Sequence, residues 1–252
     1  MLSRFFGKKE EAQSKSDNDF VIESDSDEEG CKGDPNSPFM QNLKLNMSKM
    51  IAYAQSADIL LQREVAEMLA NEAVSSDRQT QIVEYGGLRL LVPLTKSSDC
   101  DVRRLAAHAL ANLSVNSKNQ ELMAEEGAIE MLIDLLDSDN EVIQRQAAKG
   151  MANLGVNPDN KKKIGVAGGI PKLIKLAGSP TLQVKVEAVA ALGNLAVNDF
   201  NEVIIVKEGA LAVLAESAHM SANALKMAGW SGEQTRETAS WEELAAQVSR
   251  CK

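Results

Sequence analysis

The residues that could move a proton or hold a metal are few and scattered. His108 and His219 are the only histidines, and Cys31, Cys100 and Cys251 the only cysteines. None of them stands at the spacing of zinc ligands or of a nucleophile beside its base. The run Gly165-Val-Ala-Gly-Gly169 lacks the Lys-Ser/Thr of a phosphate loop and reads as a turn. No catalytic residue, metal site or cofactor is therefore expected. The chemistry left is that of asparagine. Its amide both donates and accepts, so it can pair with a peptide backbone whatever side chain that peptide carries. Asn71, Asn112, Asn153 and Asn194 stand 41 residues apart, in a row that invites that use.

The elements that carry these amides repeat with them. Leu105-Ala-Ala-His-Ala-Leu-Ala-Asn112 returns as Gln146-Ala-Ala-Lys-Gly-Met-Ala-Asn153 and Glu187-Ala-Val-Ala-Ala-Leu-Gly-Asn194, with a weaker copy ending at Asn71. Gly86, Gly127, Gly168 and Gly209 keep the same step. A fixed period of this size signals stacked helical units in one elongated body. Aromatic residues are only 4% of the chain, so the core must be Leu, Ile, Val, Ala and Met, which suits close helix packing.

Within a unit the pattern predicts three helices. A short one near 118–125 stops at Gly127, an apolar one covers 129–136, and a longer one covers 141–154, capped from Asp137-Ser-Asp-Asn140. Pro171 falls just inside the start of its second helix, where a missing N–H costs little, whereas Pro93 should kink or shorten the matching one. Units are expected at about 40–75, 76–116, 117–157 and 158–198, with an irregular or truncated fifth over 199–252. The first is expected to be a cap made of one helix at 40–55 and another at 58–73, without the short leading helix. In the fifth, Thr235 stands where the next Asn is due, and a displaced helix is expected from Trp241 to Val248.

On the third helix, Val102, Ala106, Ala109, Leu110 and Leu113 share one face, expected to be core. Arg104, His108 and Asn112 share the opposite side, and Ala107 and Ala111 keep the flank small. Three helices in about 41 residues, a glycine before the second and Asn-Leu near the end of the third: the pattern resembles the armadillo repeat. The resemblance implies an all-α, right-handed α-solenoid of about four repeats whose third helices line a concave groove. It also implies that Asn112, Asn153 and Asn194, with Asn71, bind the backbone of an extended peptide. Import receptors of the importin-α type carry a Trp four residues before each Asn. Here those places hold His108, Lys149 and Ala190, so basic import signals are not the expected cargo.

Four and eight residues before each Asn lie Glu67 and Arg63, His108 and Arg104, Lys149 and Arg145, then Ala190 and Val186. The expected ligand is a protein segment, acidic or phosphorylated at one end and apolar at the other. The implied function is a non-catalytic scaffold or adaptor. A nuclear transport receptor, or an armadillo segment of a larger protein such as a kinesin, stand as alternatives.

Residues 1–39 carry five basic and ten acidic residues, more than half of the chain's net charge of −9, and read as a disordered acidic tail. Within it, Asp19-Phe-Val-Ile-Glu-Ser-Asp-Ser-Asp-Glu-Glu29 joins an apolar triplet to an acidic run. Ser24 and Ser26, each with an acid three residues on, are candidate phosphorylation sites. The acidic balance speaks against nucleic acid as partner. No apolar run approaches the about 18–20 residues of a membrane span, so no integral membrane association is expected. Unpaired, scattered cysteines point to a reducing compartment, the cytoplasm first and the nucleus second. The oligomeric state is left open.

Overall fold

The computed structural model describes residues 38–210 together with 213–214. Thirteen helices follow one another among them: α1 (Pro38–Leu45), α2 (Met47–Ala54), α3 (Ile59–Glu72), α4 (Ser76–Glu84), α5 (Leu88–Thr95), α6 (Cys100–Leu113), α7 (Ser117–Glu125), α8 (Ala128–Leu136), α9 (Glu141–Leu154), α10 (Pro158–Val166), α11 (Gly169–Ala177), α12 (Leu182–Ala196) and α13 (Asp199–Lys207). The expected tail and the displaced helix Trp241–Val248 lie outside the described residues.

Asparagine or aspartate starts most of the third helices. Asp58, Asp99 and Asn140 each accept a first-turn N–H, so one of the orphan donors of the helix end is satisfied from the loop. Glycine ends the short helices. Gly86, Gly127, Gly168 and Gly209 have φ of 78°, 85°, 82° and 74°, the left-handed region that turns the chain into the second helix. A Cβ at Gly127 would meet only Glu130 Oε2 at 3.8 Å, so space is available and only the backbone objects. Gly127→Ala should therefore cost about 1 kcal/mol, read as a lowered midpoint in thermal unfolding.

The first unit differs from expectation. The segment 40–55 is two helices broken at Asn46, which stands outside both with φ −129° and donates to Asn42 Oδ1 at 2.9 Å. Its helices α2 and α3 fall one period before α5 and α6, and α1 takes the place of the short leading helix. Three helices form here although the bend at Asn46 has a negative φ and no left-handed glycine stands at this corner. Pro93 does not cut α5 short either. That helix runs to Thr95, one period before the end of α8, since Pro93 lies in its last turn and removes a single bond.

The predicted core face is buried throughout: Val102, Ala106, Ala109, Leu110 and Leu113 are all inaccessible to solvent, as are Ala107 and Ala111 on the flank. Those small flanks let α3, α6, α9 and α12 pack side by side, the most closely associated helices of the stack.

A second asparagine row lies inside. Asn119, Asn160 and Asn201, on the short helices, are buried. Asn160 donates to Gln120 O at 2.8 Å and Asn201 to Lys161 O at 2.8 Å, each tying its short helix to the one before. Next to that row, Gln79, Gln120 and Lys161 donate to Ala73 O, Ser114 O and Gly155 O, closing carbonyls left open at the ends of the third helices.

Candidate functional site

Because the third helices lie in register, residues one period apart come onto one face, and the expected site residues are brought together there. The structure uses their amides in a way that spacing does not reveal. Asn153 Nδ2 donates to Ala111 O at 3.3 Å and Ser114 Oγ at 3.0 Å, and Asn194 Nδ2 donates to Ala152 O at 2.9 Å. Both amides thus bridge to the preceding third helix, and their carbonyl oxygens make no hydrogen bond of their own in those bridges. Asn112 is different. Its Nδ2 lies 3.2 Å from His108 Nε2 on the same helix, so it ties no helix to another. Asn71 is exposed at the start of the row.

The charged residues form one cluster across α6 and α9. Burial is the main cause that holds the His108 ring below the usual histidine pKa, and the positive charges of Lys149, Arg104 and Arg145 add to it. Asn112 donating to Nε2 fits that neutral ring. Arg104 has a partial counter-charge in Asp101, 3.5 Å away. Arg145 and Lys149 are half-buried and make no ion pair among the described residues. Arg63 is drawn off: it pairs with Asp99 at 3.2 Å and Asp101 at 3.3 Å, so the first unit contributes less positive charge than its residue type suggests. Beyond the cluster the face turns apolar, with Val186 and Ala190 exposed on α12.

Sequence reasoning missed a further row. Val74, Val115, Val156 and Val197 lie just past the ends of the third helices and are 65%, 55%, 58% and 76% exposed. Their step is also 41 residues. Four exposed valines at one structural position make an apolar track three residues from the asparagine row.

Three consecutive segments, 75–115, 116–156 and 157–197, match the model of the Armadillo/beta-catenin-like repeat. An engineered protein of known structure is 35% identical, over 67% of this chain and 70% of that one, with a TM-score of 0.62. The chain belongs to the armadillo-repeat family. Its helices form that family's right-handed α-solenoid. A designed armadillo repeat protein solved in complex with the peptide (KR)4 is 26% identical, over 78% of this chain and 80% of that one, with a TM-score of 0.63. A computationally designed armadillo repeat protein for modular peptide recognition shares the fold at 23% identity, with a TM-score of 0.66 over 82% of this chain and 90% of that one. A search of the curated proteins gave no match. Among the described residues no group of His, Cys, Asp and Glu is placed to hold a metal ion, and no helix is long and apolar enough to cross a membrane.

Proposed function

We propose that the face of α3, α6, α9 and α12 is a concave groove that binds an extended segment of a partner protein. The chain acts as a non-catalytic scaffold or adaptor, in the cytoplasm first. Its repeat domain covers residues 40–252, with 199–252 as its irregular end. The observation that carries this reading is the pair Arg145 and Lys149, half-buried beside a neutral His108 and without an ion-pair partner among the described residues. Cations held so close together repel one another, and an acidic or phosphorylated ligand relieves that repulsion. Asn112, Asn153 and Asn194 supply backbone hydrogen bonds, with Asn71 at the open end, and Val186 and Ala190 take the ligand's apolar half. The cargo charge is opposite to that of the (KR)4 peptide held by the designed relative. An import receptor for basic signals fits these residues less well.

Asn112→Ala is the clean test of the asparagine row, because its amide bridges no helices, whereas Asn153→Ala also cuts the tie from α9 to α6. Asn112→Ala should weaken an acidic-apolar peptide by about 5–10-fold with an unchanged unfolding midpoint. An unchanged affinity, measured by fluorescence anisotropy, would remove Asn112 from the site.

Binding should also depend on pH. The groups around His108 are Arg104 on its own helix and Arg145 and Lys149 on α9; on α3 the same position is Glu67, with Arg63 already paired. Its pKa is lowered in the free protein, so protonation there favours the unfolded chain, and stability falls as pH drops through the unfolded value of about 6.5. A bound carboxylate raises that pKa, so the complex takes up a proton. Affinity for an acidic peptide should rise as pH falls from about 7.5 towards 6, above the carboxylates' own titration near 4. His108→Gln should flatten the profile; a profile that keeps its slope would assign it to another group.

A further inference from the structure

Taking the face as a peptide groove, we propose that its resident ligand is a segment of the same chain, Phe20–Glu29. The acids Glu23, Asp25, Asp27, Glu28 and Glu29 lie over the cations of α6 and α9, and Phe20-Val-Ile22 lies beyond them on α12.

Sign and order both support this. Along the stack from its first end, the face runs from the cations Arg104, Arg145 and Lys149 to the exposed apolar residues Val186 and Ala190 on α12, with Val197 at the end of the valine track. Going back from Pro38, the chain runs from Glu29 through the acids to Glu23 and then to Ile22, Val21 and Phe20. The two sequences of charge and apolarity correspond when the segment runs along the stack from its first end.

Position and reach agree. α4, α7, α10 and α13 each begin two residues after a valine of the exposed track, and α1 is the equivalent helix of the first unit. α1 begins at Pro38, about one helical turn further in than its counterparts, so the described chain starts one turn from the corner that the valine track marks. Eight residues, 30–37, separate Glu29 from Pro38, and among them are Gly30, Gly33 and Pro35, which favour an extended or turning path. Extended, they span about 26–29 Å. From α3 to α9 is two helix spacings, about 16–20 Å. The seven residues 23–29 then cover about 23 Å, enough to cross α6 and α9. Ser24 and Ser26 lie inside the acidic run, so phosphorylation of either adds charge of about −1.5 to −2 at the cations and tightens occupancy.

A tethered ligand competes at an effective concentration in the millimolar range, so an external peptide must displace it. The test compares the full chain with a full-chain variant carrying E23Q, D25N, D27N, E28Q and E29Q. The probe is a fluorescein-labelled synthetic peptide copying residues 17–30. The neutralised chain should bind the probe at least about tenfold more tightly than the wild type. Adding Arg145→Glu and Lys149→Glu to it should abolish that binding. Equal affinity in the wild-type and neutralised chains would overturn self-occupancy and leave the groove reading standing. No binding to either would overturn both. Tight binding that survives the two charge reversals would place the probe elsewhere and contradict the proposal. Inhibition in the wild type that fades on dilution would mean a second copy's segment, contrary to occupancy within one chain.

Discussion

Arg145→Glu combined with Lys149→Glu is expected to weaken an acidic-apolar peptide by at least about a hundredfold. Each cation makes charge-assisted contacts of about 1.5–3 kcal/mol with a bound carboxylate or phosphate, and each reversal replaces attraction by repulsion. Loss of both contacts alone exceeds the about 2.7 kcal/mol that two decades require. Stability should hardly change, because neither side chain has an ion-pair partner among the described residues to lose. The same variant should raise the pKa of His108, since two of the three charges that depress it are gone. Anisotropy gives the affinity and proton NMR gives the titration. A hundredfold loss with an unmoved His108 would mean that the fold, not the cluster, had been disturbed.

Gly165→Ala should lower stability, although glycine to alanine inside a helix ordinarily stabilises by about 1 kcal/mol. The added Cβ would run into Asn201 Oδ1, while Asn201 is fully buried and its Nδ2 holds Lys161 O at 2.8 Å and Leu195 O at 3.2 Å. Moving that side chain breaks one or both bonds and leaves buried polar atoms unpaired, at about 1–3 kcal/mol each. The net expectation is a loss of about 2–4 kcal/mol, concentrated where α13 docks on α10. The broken bonds belong to α13, so hydrogen exchange over 199–207 should rise more than exchange in α6, which makes neither of them. A raised unfolding midpoint would show that Asn201 can turn aside without penalty.

The period of 41 residues made the architecture legible, because every unit must bury the same face against the same neighbours. Third-helix bounds follow from it almost to the residue, as in Glu141–Leu154. What escaped was what depends on neighbours in space. Arg63 reads as a groove cation until Asp99 and Asp101, from the next unit, are brought to it. Asn153 and Asn194 read as free amides until the carbonyls of Ala111 and Ala152 arrive beneath them. The inner row Asn119, Asn160 and Asn201 keeps the period too. It was hidden because Arg78 interrupts it one unit earlier, and because a polar residue on a short, mostly polar helix reads as solvent-facing. The valine track had the same signal in Val74, Val115, Val156 and Val197. Single valines in turns carry no message until their alignment along one edge is seen.

The most direct test of the groove is titration of the full chain with a short labelled peptide, acidic in one half and apolar in the other, at low and high salt. The tail-neutralised variant serves beside the wild type, so that a resident segment cannot mask the site. The prediction is saturable binding that weakens steeply as the Debye length shrinks, is lost with Arg145→Glu and Lys149→Glu, and is not reproduced by a (KR)4 peptide. Equal binding of the basic peptide, or acidic-peptide binding indifferent to salt and to both reversals, would contradict it.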